Sequence, residues 1–342
     1  MTLLSALVGD AEIEALLDDG AQLAALLQVE RSLATASAQA GWISVGAAEA
    51  IGAAIGNFQP DWADLTTGMV RDGVVVPALV AQLRKLVAEP HRAALHKGAT
   101  SQDIVDTALM LQVAKIVDVV EARLSALLIR LDGLQRSDGH RRLMAHTRMQ
   151  AALETTWGDK LRSWADPLQR HLRALESMRR SLLVVQLGGP VGDRRSFEEH
   201  GDAIAAALGK SLDLGIAAPW HATRDPIVAF GDRLALISGS MGKIGADVTL
   251  LAQTEVGAVT LTGGGGSSAM SHKSNPVTAE ALVALGRLTA GLSGTLHQAM
   301  LHEYERSGAA WTLEWLTLPP LMVATGASLR VGLDLLDQIK LT

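Results

Sequence analysis

Apolar residues recur at helical spacing along nearly the whole chain. Over residues 12–40, Ile13, Leu16, Leu17, Leu23, Leu26, Leu27 and Leu33 form one stripe that stops at Gly41, the i, i+3, i+4 pattern of a helix with one buried face. A shorter helix is expected over 44–57. Val74-Val75-Val76-Pro77 reads either as a strand fragment or as the opening of a helix running to Leu86, and Pro90 breaks that element. The longest clean pattern covers 101–136, where Ile104, Ala108, Leu111, Leu124, Leu127, Leu128 and Leu131 share a face and nothing interrupts before Gly133. Thr100 and Asp103 have the spacing of a capping box, with Asp in place of Glu. A second long helix is expected from about Thr155 to Leu183, bent at Pro167. Val184–Gly192 then reads as a small hairpin or loop. Helix returns over about 196–208, followed by a third long helix over about 225–261. Helices at about 277–303 and 309–340 close the chain, the last strained at Pro319-Pro320.

Several helices of about 28 residues or more predict an all-α fold built on an elongated central helical bundle. The break near residues 90–100 divides it into a smaller N-terminal helical domain, 1–100, and a long-helix bundle, 101–342. Composition agrees: the chain is rich in Ala and Leu and only 3% aromatic, which favours helix. A hydrophobic fraction of 48% against 19% charged residues excludes disorder. The net charge of −6 and the lack of a Lys/Arg tract argue against nucleic acid or an anionic membrane surface as a partner. Absence of cysteine removes disulfides and thiolate chemistry. The N-terminus lacks a cationic segment and no uninterrupted apolar run nears the ~18 residues of a membrane span, so a cytoplasmic location is expected. Mean hydropathy is +0.22, high for long helices in water. Burial of helix faces between subunits explains it, and a large monomeric core is the alternative.

The chemistry concentrates in a mobile lid expected over 262–276. Gly263–Gly266 lead into Ser267, Ser268, His272, Lys273, Asn275 and Pro276. Such a glycine run is costly inside helix or strand. Asn275-Pro276 has the form of an N-cap followed by proline at the first helical position, so the lid feeds a helix start, where N–H groups favour an anion. Likeness to a phosphate-binding P-loop fails, because His272 stands where glycine is needed and the preceding segment is helical. Three other clusters carry titratable or anion-binding groups. His96-Lys97-Gly98-Ala99-Thr100-Ser101 opens the longest helix, as a carboxylate-binding terminus or as an ordinary cap beside a surface pair. His146-Thr147-Arg148 falls in a loop between two long helices, as an acid–base histidine beside an anion-binding arginine or as a solvated loop. Glu303-Tyr304-Glu305-Arg306-Ser307 ends a helix, with Arg306 either clamping a carboxylate or pairing with Glu303. No HExxH, carboxylate-rich loop or dinucleotide glycine pattern is present, so neither metal nor cofactor is expected.

Together these segments resemble the fumarase/aspartase superfamily, which includes argininosuccinate and adenylosuccinate lyases. Its signature GSSxMPxKxNP stands here as Gly266–Pro276, with Ser271 in place of the family's proline, and its TSxD segment as Thr100–Asp103. Ala145-His146 is a looser match to its TH segment. Within the superfamily, HKGATSQDIVDTALMLQ, AHTRMQAALETTWGDK, LGGPVGD and HEYERSGAAWTLEW resemble the lactone-forming 3-carboxy-cis,cis-muconate cycloisomerases of the protocatechuate branch of aromatic catabolism. The resemblance implies a small polycarboxylate substrate and a homotetramer whose active sites each draw on three subunits. It also implies that the superfamily's C-terminal third domain is missing. His146, Ser267 and Lys273 are the expected catalytic residues, His146 and Ser267 competing as proton donor. Thr100, Ser101, Arg148, Ser268, Asn275 and Arg306 are expected to bind substrate, with Trp157 as wall or core. A 3-sulfomuconate cycloisomerase, a fumarate-releasing lyase and a catalytically silent relative are the alternatives.

Overall fold

In the computed structural model, which describes residues 2–266, 269–270 and 274–342, the first apolar stripe is interrupted once. After α1 (Leu3–Val8), α2 (Ala11–Leu17) ends at Asp18, whose carboxylate accepts the Ala21 N–H at 2.7 Å and so caps α3 (Asp19–Gln39). Ser44 caps α4 (Val45–Gly56). Helix α5 (Trp62–Asp72) has no stripe to announce it, since only Leu65 and Gly68 are buried. The Val74–Val76 ambiguity resolves as helix: α6 (Val76–Leu86) opens there with Pro77 in its first turn, where the missing N–H costs nothing.

The bundle begins with α7 (Ser101–Asp138), the longest helix. Strands β1 (Arg142–Thr147) and β2 (Gln150–Thr156) form an antiparallel hairpin, and α8 (Trp157–Leu182) follows with Pro167 inside it. A 3-10 turn, Arg195–His200, leads to α9 (Gly201–Leu212) and then α10 (Asp225–Leu251). Strand β3 (Val259–Leu261), α11 (Val277–Ala299), α12 (Gly308–Gln338) and β4 (Ile339–Leu341) complete the described chain. Helix α10 packs on α8, α11 and α12, and α7 packs on α3, α8 and α12. The α10–α11 approach is close because Gly242 faces Gly286, and a Cβ on either would press on the opposing backbone. A large apolar core runs through α2 to α12, from Ile13 to Leu341, and a small second cluster of Leu285, Ala324 and Ala327 packs against Val8 of α1. Helices α10 and α12 are long and apolar enough, by composition alone, to cross a bilayer, yet both are packed within the bundle.

Three expectations need correction. The all-α class holds, but residues 142–156 are a hairpin rather than a loop. Its turn places Arg148 and Met149 at φ of 50° and 65°, the left-handed pair that a two-residue hairpin requires, without the glycine or asparagine that would signal it. Helix α10 stops well before residue 261, because Val259–Leu261 pairs with Ile339–Leu341, a partner remote in sequence. Helix α11 starts after Asn275-Pro276. Instead of capping by its side chain, Asn275 bridges Gly265 through both backbone groups, at 2.9 and 2.8 Å.

Candidate functional site

The N-terminus of α7 is held by one carboxylate. Asp103, buried at 1% exposure, accepts the Thr100 N–H at 2.9 Å, which is half of the expected capping box. It also accepts the N–H groups of Gly188 (2.7 Å) and Gly189 (2.9 Å) and His221 Nε2–H (2.9 Å). Three segments distant in sequence therefore meet on one side chain: the start of α7, the loop 187–193 and the loop 213–224. Buried carboxylates need such a set of donors, because an unpaired one carries its full desolvation cost. Gly98 (φ 73°) and Gly189 (φ 71°) meet where these loops cross, and Ser196 Oγ–H donates to the Gly98 carbonyl at 2.6 Å. A Cβ on Gly189 would strike Ser196 and press on the Gly98 carbonyl, and one on Gly98 would strike Trp42 and crowd Phe197. Backbone N–H groups of Ser101 and Gln102 are left without an acceptor among the described residues, donors of the kind that a helix N-terminus can offer to an anion.

Beneath this turn lies an ion triad. Arg224, 1% exposed, donates to Glu314 at 2.9 and 2.5 Å and to Asp106 at 2.7 and 3.2 Å. Trp311 Nε1–H and Gln102 Nε2–H each donate to Asp106 at 3.1 Å, and the Trp220 ring covers the guanidinium at 4.7 Å. Burial raises the Glu314 pKa against the opposing pull of Arg224. Two acids share one arginine in a dry layer, so the triad sets the geometry above it. His302 sits alongside with both ring nitrogens buried and unpartnered among the described residues. Its pKa is lowered by burial and then by the Arg224 charge.

Arg306 reaches the same end of α7. Its Nε donates to Gln102 Oε1 at 3.0 Å and its Nη2 to the Pro190 carbonyl at 3.1 Å. Its partner is thus the α7 terminus rather than Glu303. Residues 303–306 lie between helices rather than ending one, and Ser307 caps α12 through the Ala310 N–H.

His96, at φ 57°, precedes the terminus and meets the buried Glu30 carboxylate at 2.6 Å. Burial alone would lower its pKa. The charge and hydrogen bond of Glu30 outweigh burial, and the pKa is raised, with Asp103 adding to the rise and Arg84 opposing it. A raised histidine contributes stability that is complete below its unfolded pKa of about 6.5 and is lost as pH climbs through the folded value. Glu30→Gln removes that contribution. Denaturant midpoints should therefore fall more between neutral and mildly alkaline pH for the parent than for Glu30→Gln. Parallel pH profiles would refute the linkage.

The other expected residues lie elsewhere. His146 is exposed on β1, with Nδ1 3.1 Å from the Met144 carbonyl, and Arg148 is exposed at the hairpin turn. A cavity of about 340 Å³ between the hairpin, residues 255–258 and Thr342 includes His146. The hairpin base is tied to β4 by Arg141 Nη1 donating to the Leu341 carbonyl at 2.6 Å, and β4 pairs with β3, which leads into the lid. His146, Arg148 and the Gly265–Asn275 bridge therefore share one end of the bundle, whereas Thr100, Ser101 and Arg306 share the other. Helix α7 separates the two ends, and its 38 residues at 1.5 Å each extend about 55 Å. Trp157 is fully buried at the start of α8, as a core residue. Ser267, Ser268 and Lys273 lie outside the described residues, as do Ser271 and His272.

Motif reading reached Thr100, Ser101, Asp103 and Arg306 but missed Gln102, Asp106, His221, Arg224, Glu314 and Glu30 as parts of one structure. Asp106 inside the apolar stripe of α7 and Glu314 between two tryptophans were visible as acids in buried positions. His221 and Arg224 sit in a loop with no local signal. The terminus can hold a carboxylate by backbone N–H groups and a tethered guanidinium, while the His146 imidazole stands exposed at the far end.

A family model described as "Lyase" matches residues 14–289. The 3-carboxy-cis,cis-muconate cycloisomerase of Acinetobacter baylyi is 35% identical over 98% of this chain and 76% of its own length. The crystal structure of 3-carboxy-cis,cis-muconate lactonizing enzyme from Pseudomonas putida superposes with a TM-score of 0.92 at 34% identity, over 99% of this chain and 77% of that one. The fumarate lyase structure from Mesorhizobium sp. BNC1 gives 0.91 at 29% identity, over 98% and 76%.

Proposed function

The chain belongs to the lyase family of fumarase/aspartase type, and from that premise we propose that it is a lactone-forming cycloisomerase acting on 3-carboxy-cis,cis-muconate. The observation that carries this reading is the likeness, in sequence and in fold over almost the whole chain, to enzymes of that name. In the reaction, one substrate carboxylate oxygen bonds to a carbon of a carbon–carbon double bond. The π electrons move onto the carbon next to another carboxylate, giving an enolate-like dianion, and a proton added to that carbon completes the lactone. The reaction requires fixed positive charge and N–H donors where the enolate charge develops. It also requires one proton donor of usable pKa.

In this proposal the start of α7, with Thr100 and Ser101, receives a carboxylate, and Arg306 holds another. His146 delivers the proton, with Ser267 as the competing donor, and Arg148, Ser268, Lys273 and Asn275 complete the anion-binding wall. The two ends of α7 cannot meet within one chain, so a complete site needs a second copy lying antiparallel. A homotetramer with shared sites supplies that arrangement and accounts for exposed apolar side chains on the bundle helices, such as Leu236, Leu288 and Leu316. Trp157, buried at the hairpin base, supports the segment that carries His146. Residues 1–100 form the N-terminal domain and 101–342 the bundle with lid 262–276, in a protein we place in the cytoplasm.

The test is spectroscopic. Adding 3-carboxy-cis,cis-muconate should abolish the ultraviolet absorbance of the conjugated diene as the lactone forms. The 3-sulfo analogue, run in parallel, shows whether the substituent at carbon 3 is read by charge alone. Release of fumarate from a succinyl-bearing substrate, with no change in the diene, would reassign the chain to the eliminating lyases.

A further inference from the structure

We infer that Gln102 is a positioning residue for Arg306, selecting which edge of its guanidinium is offered to a substrate carboxylate. The inference rests on the reading of Arg306 as a carboxylate ligand. Gln102 is fully buried at the second residue of α7. Its Nε2 hydrogens have two fixed acceptors, Asp106 Oδ2 at 3.1 Å and the His221 carbonyl at 3.0 Å. Neither acceptor can donate there, so the amide cannot flip without facing oxygen against oxygen. Its Oε1 must therefore point at Arg306, whose Nε it accepts at 3.0 Å.

Arginine binds carboxylates through either of two edges, Nε with one Nη or the two Nη groups together. Here the first edge is closed: Gln102 occupies Nε and the Pro190 carbonyl occupies Nη2 at 3.1 Å. The Nη1 group and the second Nη2 hydrogen remain without a protein partner among the described residues. Arg306 is thus locked in rotation and presents one two-pronged edge from an exposed position at the helix terminus.

The choice of an amide matters. A carboxylate at position 102 would hold Arg306 more strongly, but it would neutralise the guanidinium and stand against Asp106. Glutamine orients Arg306 and leaves its charge for the substrate. The orientation is inherited from the interior, because Asp106 is itself fixed by Arg224 and Trp311. Preorganisation of this kind cuts the ordering cost of binding and bears mainly on affinity.

The test compares the parent enzyme with Gln102→Met, which keeps the length and removes the amide, and Gln102→Asn, which keeps an amide but withdraws it from Arg306 by one methylene. Arg306→Ala and the Gln102→Met/Arg306→Ala double variant complete a cycle. Two quantities are read: KM and kcat for lactone formation, and the calorimetric Kd of tricarballylate, an unreactive saturated tricarboxylate. Each Gln102 variant should raise KM and Kd about tenfold, the size of one lost charged hydrogen bond, while kcat stays within about twofold. The double variant should bind no more weakly than Arg306→Ala. Unchanged KM and Kd in a folded Gln102 variant, or full additivity in the double, overturns the inference. Should Gln102→Met fail to fold, Gln102→Asn decides alone. A parent enzyme that forms no lactone but shows the Gln102 pattern in tricarballylate binding refutes the proposed reaction and leaves the role of Gln102 intact. A parent that binds no tricarballylate overturns the role of Gln102.

Discussion

His146→Asn should lower turnover about a hundredfold or more without unfolding the protein. Proton delivery by a positioned side chain typically contributes 10²- to 10⁴-fold, and asparagine cannot titrate. The residue is exposed on β1, and among the described residues its side-chain hydrogen bond is with the Met144 carbonyl two residues back, so little packing is lost. A rate within a few-fold of the parent would transfer proton delivery to Ser267 or to water. The same variant also tests the shared site. His146 and Arg306 lie at opposite ends of a helix about 55 Å long, so the proposed site requires them from different copies. His146→Asn and Arg306→Ala proteins, denatured, mixed and refolded together, should recover part of the activity that neither regains alone. A minority of sites in mixed assemblies escape both lesions. Mixed assemblies confirmed by mass, with no recovery, would rule out sharing between copies.

Arg224→Met should cost about 3–5 kcal/mol, the range for leaving buried charge without its partner, and lower the melting temperature by on the order of 10 °C. Both carboxylates it serves are sealed from water, Asp106 at 0% and Glu314 at 1% exposure. The pH dependence has a definite sign. Glu314 is already raised by burial, and without the opposing Arg224 charge the folded state holds a proton on it more tightly than the unfolded chain does. Stability of the variant should therefore improve toward acid pH and worsen toward alkaline pH, by linkage. Adding Asp106→Asn and Glu314→Gln to Arg224→Met should restore much of the loss, because the cost lies in uncompensated charge rather than in the missing side chain. A loss under 1 kcal/mol for Arg224→Met alone would mean that water reaches the triad.

Helix identity was legible because it is local. The stripe of Ile104, Leu124, Leu127 and Leu131 specifies α7 whatever packs against it, and the Thr100–Asp103 spacing specifies where it starts. The lid, the TSxD segment and Arg306 were legible as residue types that chemistry on carboxylates requires. The hairpin carrying His146 was not, because Arg148 and Met149 adopt left-handed backbone without a residue that favours it, and β3 was not, because its partner strand is some eighty residues away. Why Asp103 matters beyond its cap, why Arg224 can be buried, and which way Arg306 faces depend on Gly188, His221, Glu314 and Gln102. Each is close to its partner only after the chain has folded. The sequence by itself therefore determined the long helices of the bundle, the start of α7 and the residues of the family motifs, but not α5 or where α10 ends. The tertiary structure alone decided that those residues fall into two groups at opposite ends of α7, because a rigid helix converts separation in sequence directly into distance.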